Sequence, residues 1–132
     1  MESLRSAIEF IKKQKVARVA TFSKEGIHLV PICPVYDGRY VYFSTGAASK
    51  KVKNLKRNKK ISIVFDEYSD NWAKLKGISV QGEAEIIEKG EEFDLARRML
   101  YEKFPQYKKM PIREGESVIV KIKPTHSICW GV

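Results

Sequence analysis

Residues 18–58 read RVATFSKEGIHLVPICPVYDGRYVYFSTGAASKKVKNLKRN, and the punctuation of this stretch decides the fold class. Val16 to Ser23 is a short strand-like run that ends at Lys24-Glu25-Gly26, a hairpin-type turn. Ile27 to Tyr36 comes back as a second strand with Pro31 and Pro34 inside it. Each proline lacks the N–H that a central ladder needs, so this strand is expected to be bulged or to turn an edge toward something other than another strand. A bound ligand can use backbone groups left free in that way. Asp37-Gly38 is a strong turn signal, and Tyr40 to Thr45 is the third strand.

Beyond Thr45 lies a small-residue loop, Gly46-Ala47-Ala48. Ser49 then caps a short helix whose buried stripe is Val52 and Leu55. Ile61 to Tyr68 is β-branched and aromatic, hence a buried strand, and Ser69 to Leu75 is a loop carrying Trp72. Ile78, Val80, Gly82, Ala84 and Ile86 alternate with Ser79, Gln81, Glu83, Glu85 and Ile87, a half-buried strand that turns at Lys89-Gly90. Phe93, Ala96, Leu100 and Phe104 mark a helix begun by Glu91, Glu92 and Asp94, where acid suits the helix dipole, and stopped by Pro105. Val118, Val120 and Ile122 form a strand ended by Pro124, with a short last strand from Ser127 to Trp130. Before the quoted stretch, Leu4, Ile8 and Ile11 give the first fifteen residues one amphipathic helix, with Ser3 as its N-cap. The order implies a single domain over 1–132, mainly β with flanking helices, in which short antiparallel strands close into a small barrel. Closure would also remove exposed edges.

The chain has 132 residues and a formal net charge of +9, which points to an anionic partner. Almost all of the excess lies in one place. Between 50 and 60 stand Lys50, Lys51, Lys53, Lys56, Arg57, Lys59 and Lys60, with no acid among them. A nearly neutral remainder favours one small anionic cofactor over a polymer. A nucleic-acid-binding small barrel using the 50–60 segment is the reading from a different class, with nucleic acid the less favoured partner. No apolar run reaches the ~20 residues of a membrane helix, and the first ten residues lack a signal-peptide block, which leads to an expectation of a cytoplasmic protein with no membrane partner. Cys33 and Cys129 have no CxxC or His/Cys company, so no metal site or disulfide framework is expected, and both read as small buried thiols.

The chemistry concentrates in Tyr42 to Lys60, which joins a strand end, a small-residue loop, a hydroxyl cap and a helix. Free N–H groups at a helix start hold phosphate, Thr45 and Ser49 add hydroxyl donors, and Lys50 and Lys51 add charge. The bland alternative has equal weight on the residues alone: Ser49 caps the helix and the lysines are solvated. The loop is not a Walker motif, since GxxxxGK[ST] is absent. His28 reads as a half-exposed strand histidine more readily than as a donor to a cofactor. Glu83 and Glu85 read as a solvated sheet face, and most of Tyr40, Tyr42, Phe43, Tyr68, Trp72 and Trp130 as core. No residue is singled out as catalytic.

The whole pattern resembles the pyridoxamine 5′-phosphate oxidase-like family of flavin-binding split β-barrels. It is carried by an R-x-A-T strand, a Gly-x-His-x-x-Pro strand, a Y-F-S-T strand end and S-x-K-x-x-N-L, over roughly residues 4 to 87. The resemblance implies FMN, with its phosphate at Thr45, Ser49, Lys50 and Lys51 and its ring along the backbone of Val30, Pro31, Ile32, Phe43 and Ser44. Lys50 stands where many members carry Arg, keeping the charge without the bidentate fork. It also implies a homodimer with each flavin at the subunit interface, to which Trp72, Gln81 and Trp130 of the other copy would contribute. The activity implied is that of a flavin-dependent oxidoreductase, with deazaflavin or haem as alternative ligands of the same fold. The basic residues with which pyridoxamine-phosphate oxidases hold their substrate phosphate fall on Leu29 and Pro34. The resemblance is therefore to the wider family rather than to that enzyme proper.

Overall fold

The structure, a computed structural model, describes residues 2–132, with side chains from Leu4 onward. Seven antiparallel strands form one sheet in the order β2-β1-β5-β6-β7-β4-β3. They are β1 (Ala17–Ser23), β2 (Gly26–Ile32), β3 (Val35–Tyr36), β4 (Val41–Gly46), β5 (Lys60–Glu67), β6 (Lys76–Ile87) and β7 (Ser117–Trp130). The helices are α1 (Glu2–Ser6), α2 (Ile8–Lys13), α3 (Lys50–Arg57) and α4 (Glu91–Lys103). Among the described residues no helix is long and apolar enough to cross a membrane.

The turns follow the sequence. Ser23 pairs with Gly26 across the Lys24-Glu25 loop, where Gly26 has φ +130°, and the Ser23 hydroxyl donates to the Gly26 carbonyl at 2.9 Å. The Asp37 carboxylate accepts from the Arg39 and Tyr40 amides at 2.8 and 2.7 Å and fixes the turn before β4. Strand period 2 sends Val19, Ile61, Ile63, Phe65, Ile78, Val80, Val120 and Ile122 to the concave face, where Phe43, Leu55 and the plug of Leu4, Ala7 and Ile11 complete the main core. A second core lies on the opposite side of β4 and β7, where Tyr42, Ile87 and Ile119 pack beneath Phe93, Ala96 and Leu100 of α4.

Six expectations are corrected. The sheet curls but does not close: β2 and β3 are its two edges, with no ladder between them. The strand expected over Ile27 to Tyr36 is two strands, because the chain leaves one edge after Ile32, crosses by Cys33-Pro34 alone, and joins the other edge at Val35. Pro31 sits on the edge strand, where the missing donor costs nothing in the ladder with β1. The N-terminal helix is broken at Ala7, whose backbone (φ −98°, ψ 5°) leaves the helix while its side chain stays buried. The cap expected at Ser3 lies outside the described side chains. Pro124 does not end a strand. β7 runs through it, because the register with β6 shifts between Gln81 and Gly82, and Thr125 is the extra residue. A Cβ at Gly82 would fall 2.5 Å from the Lys123 carbonyl, so the bulge needs glycine there. Cys33 is exposed on the crossing segment and Cys129 half-buried, so neither is the buried thiol expected. Tyr68, Trp72 and Trp130 are likewise exposed rather than core.

Candidate functional site

Crossing from β2 to β3 leaves two strand edges unpaired. β2 is bonded only to β1. β4 is bonded along its whole length to β7, but β3 covers only Val41 and Tyr42 on its other side. The edge of Phe43–Gly46 is therefore open, and so is the edge of β2. These two edges border the split in the barrel. Cys33-Pro34 spans the split at one end. At the other, α3 leaves the end of β4 and ties back to β1, where the buried Asn54 side chain donates to the Thr21 hydroxyl at 3.0 Å.

The loop between β4 and α3 places the hydroxyls as the sequence suggests. Ser49 accepts from the Val52 amide at 3.4 Å and so caps α3. The Thr45 hydroxyl donates to Ser49 Oγ at 3.2 Å. Lys50 and Lys51 occupy the first turn of α3, which contains no acid. Cations there oppose the helix dipole, and an anion against the same turn would reverse the sign of that interaction. Lys51 is half-buried without an ion-pair partner among the described residues, and burial pushes its ammonium below the usual lysine range. Lys50 faces another way. It joins Lys53, Asn54 and Arg57 in a cleft of about 330 Å³ that also holds Glu25. The Glu25 carboxyl is held below its ordinary range by its own backbone hydrogen bond, then by the Ser23 hydroxyl and Lys50. Thr45, Ser49 and Lys51 thus form one group, while Lys50 is shared with Glu25.

The ring-side positions divide by face. Phe43 is fully buried and Ile32 nearly so, both in the main core, and Val30 packs against that core. Pro31 points to the convex face and is exposed, while Ser44 is half-buried on the side of α4. Of these five residues, Phe43, Ile32 and Val30 thus turn their side chains toward the main core and Pro31 and Ser44 turn theirs away from it.

His28 carries a signal that strand periodicity does not show. It sits opposite Thr21 in the β1–β2 pairing, on the concave face with Val30 and Ile32. Its Nδ1 is buried and, among the described residues, is the one such side-chain atom without a hydrogen-bond partner. Trp72, Gln81 and Trp130 are all exposed, and Gln81 and Trp130 share the convex face of the sheet with Phe22, Ile27, Leu29 and Ile128. The acidic start of α4 is not wholly surface: Glu92 accepts from the Tyr42 hydroxyl at 2.9 Å and from Lys121 at 2.7 Å.

Three solved structures place this fold among known proteins. A conserved hypothetical protein from Mycobacterium tuberculosis is 25% identical, with a TM-score of 0.82 over 95% of this chain and 82% of its own. The haem storage protein HutZ from Vibrio cholerae is 14% identical, with a TM-score of 0.77 over 96% of this chain and 89% of its own. A FAD-binding protein from Mesorhizobium loti is 18% identical, with a TM-score of 0.77 over 92% of this chain and 87% of its own. The last two likenesses show the shared fold. No curated protein matches the sequence. The family model for pyridoxamine 5′-phosphate oxidase matches residues 5–130, nearly the whole chain. With the split barrel and its strand order already in place, the chain belongs to the pyridoxamine 5′-phosphate oxidase-like family.

Proposed function

We propose that this chain binds FMN in the split of the barrel and acts as a flavin-dependent oxidoreductase on a small molecule. The observation that carries the reading is the coincidence of two things. The strand edges left unpaired are those of Val30–Ile32 and Phe43–Thr45, and the same opening ends at the hydroxyl-capped, lysine-bearing start of α3. In this reading Thr45, Ser49 and Lys51 hold the phosphate, with Lys50 adding charge from the neighbouring cleft. The edge backbone of Val30, Pro31, Ile32, Phe43 and Ser44 lines the ring. FMN, when bound, supplies hydride and electron transfer, and the protein supplies position and electrostatics. The single phosphate group matches a single helix start. A homodimer belongs to the same reading. The convex face exposes Ile27 and Leu29 at 70% and 65%, and a second copy would cover them while offering Trp72, Gln81 and Trp130 to the cleft. Free thiols suit a cytoplasmic setting.

Haem is the second reading, favoured by the haem-binding proteins of the same fold, and His28, whose buried Nδ1 has no partner among the described residues, would have to turn out of the sheet face to reach an iron. One titration separates the two. FMN added to the protein is expected to lose fluorescence with a micromolar dissociation constant, and Lys51→Ala is expected to weaken binding about tenfold through the lost charge-assisted contact. Unquenched FMN at micromolar protein, with a Soret band appearing on addition of haem, would replace the flavin reading by the haem one. Equal FMN affinity in Lys51→Ala would move the phosphate away from α3.

A further inference from the structure

β4 carries the Thr45–Lys51 group at one end and a different cleft at the other. This cleft has a volume of about 460 Å³ and is walled by Arg5, Tyr36, Arg39, Tyr40, Lys123 and Pro124. Its size is that of a small-molecule site. It shares no residue with the Thr45–Lys51 group, with the Glu25 cleft, or with the strand edges that border the split. The walls come from four separate parts of the chain: α1, the end of β3, the turn into β4, and the middle of β7 where it bulges against β6.

Its charges do not balance. Lys123 is already paired: its ammonium lies 2.9 Å from the Glu85 carboxylate, which holds it above the usual lysine range. Lys121, next on the same face of β7, is paired with Glu92 at 2.7 Å. Arg5 and Arg39 have no ion-pair partner among the described residues, and no carboxylate among those residues lines the cleft. The neighbouring Asp37 carboxylate is turned to the backbone of its own turn, where it accepts from the Arg39 and Tyr40 amides. The two arginine charges are thus left over at one opening. The Arg39 guanidinium stands 5.2 Å from the centroid of the Tyr40 ring, a contact that helps to hold it in place. Arg5 stands close enough to Tyr36 to act on it: burial pushes the Tyr36 phenol up, Asp37 adds to the rise, and Arg5 opposes it. Each guanidinium presents N–H donors in a planar fork that matches phosphate oxygens.

We propose that this cleft binds a phosphomonoester, its dianionic phosphate between Arg5 and Arg39 and its organic body against Leu4, Tyr36 and Pro124. One phosphate supplies both missing counter-charges, and Lys123 adds an ammonium that Glu85 keeps protonated. Because Arg5 belongs to α1 and Arg39 to the turn before β4, an occupant also ties the two together. The cleft uses no residue of the split, and Lys51 takes no part in it. Its occupancy and the flavin reading therefore stand or fall separately.

The probe is phenyl phosphate, with phenyl sulfate as a control of the same shape and one charge fewer. Both are titrated into flavin-free protein above pH of about 7, where the phosphate is a dianion, and followed by the amide NMR signals of Gly38, Arg39 and Tyr40. Phenyl phosphate is expected to shift these signals saturably, with a dissociation constant below about 1 mM. The sulfate is expected to bind about tenfold more weakly, and inorganic phosphate, which lacks the body, several-fold more weakly. Arg5→Gln and Arg39→Gln are each expected to weaken phenyl phosphate about tenfold. Both arginines are exposed, so neither change disturbs the core. Lys51→Ala is expected to leave the titration of these three amides unchanged. No saturable shift at millimolar phenyl phosphate, equal affinity for the sulfate, or unaltered affinity in both arginine variants would overturn the proposal. Inorganic phosphate binding as tightly as phenyl phosphate would overturn the assignment to an ester. Loss of the shifts in Lys51→Ala would return the phosphate to the start of α3 and overturn the separate site.

Discussion

His28 faces the concave side of β2 with a buried Nδ1 that no group among the described residues satisfies. Leaving such a group unpaired costs about 1–3 kcal/mol, a cost a protein retains where a ligand relieves it. His28→Leu is therefore expected to raise the stability of the flavin-free protein by about 1 kcal/mol in urea denaturation, while weakening the ligand of the split. A loss of stability in that variant would instead assign the nitrogen a partner within the fold. At this scale the sequence is legible where one residue acts on its own neighbours. Ser49 caps the helix it begins, and Asp37 and Gly38 make the turn they announce. It is opaque where a residue depends on distant chain. Nothing near Lys103 in sequence shows that Gln14 and Pro34 will accept from it, and nothing near His28 shows that one nitrogen will be left over.

Among the elements, α4 shows how an acidic first turn can be more than a match to a dipole. Its Glu92 accepts from Tyr42 on β4 and Lys121 on β7, so one carboxylate joins helix to sheet. The Lys121 contact, with the Tyr42 hydroxyl assisting, holds the Glu92 carboxyl below its ordinary range, and burial with the Glu92 contact pushes the Tyr42 phenol up. A depressed carboxyl contributes stability that is full above the unfolded pKa, about 4.3, and is lost as pH falls through the lower folded value. Glu92→Gln should cost about 1–2 kcal/mol near neutral pH, since Lys121 is left without its counter-charge. Its stability should also fall less steeply below pH of about 4 than that of the parent protein. Acid titrations followed by circular dichroism of the two proteins check both statements. The strands themselves were readable because period 2 persists from β1 to β6. Proline usually stops a ladder, so the sequence predicts two pieces where β7 is one, and only the paired strand shows that Gly82 leaves room for a bulge there. The spacing of Leu4, Ile8 and Ile11 predicts one helix, and its break at Ala7 comes where that residue is fully buried against the main core.

The whole molecule depends on which strand edges meet, and local pattern does not encode that. Short strands and tight turns predict a barrel, but closure requires β2 to pair with β3 or β4, and the chain instead uses Cys33-Pro34 to pass from one edge to the other. Two hydroxyls and a lysine of the candidate site were legible as a motif. The opening they flank was not, because it exists only between strands brought together by this order. The exposed convex face belongs to the same scale. Leu29→Asp places a charge there without touching the main core, and it is expected to convert a dimer to a monomer in light scattering after size exclusion. A parent protein that is itself monomeric at micromolar concentration would remove the dimer from the proposed function. The unpaired edge of β2 has one further consequence. A bare strand edge is a template on which other chains add strands and aggregate. Pro31 withholds an N–H within that edge, and Pro34 withholds another just beyond its end. The split can thus leave backbone groups unpaired along β2 while offering a poor start to another polypeptide strand.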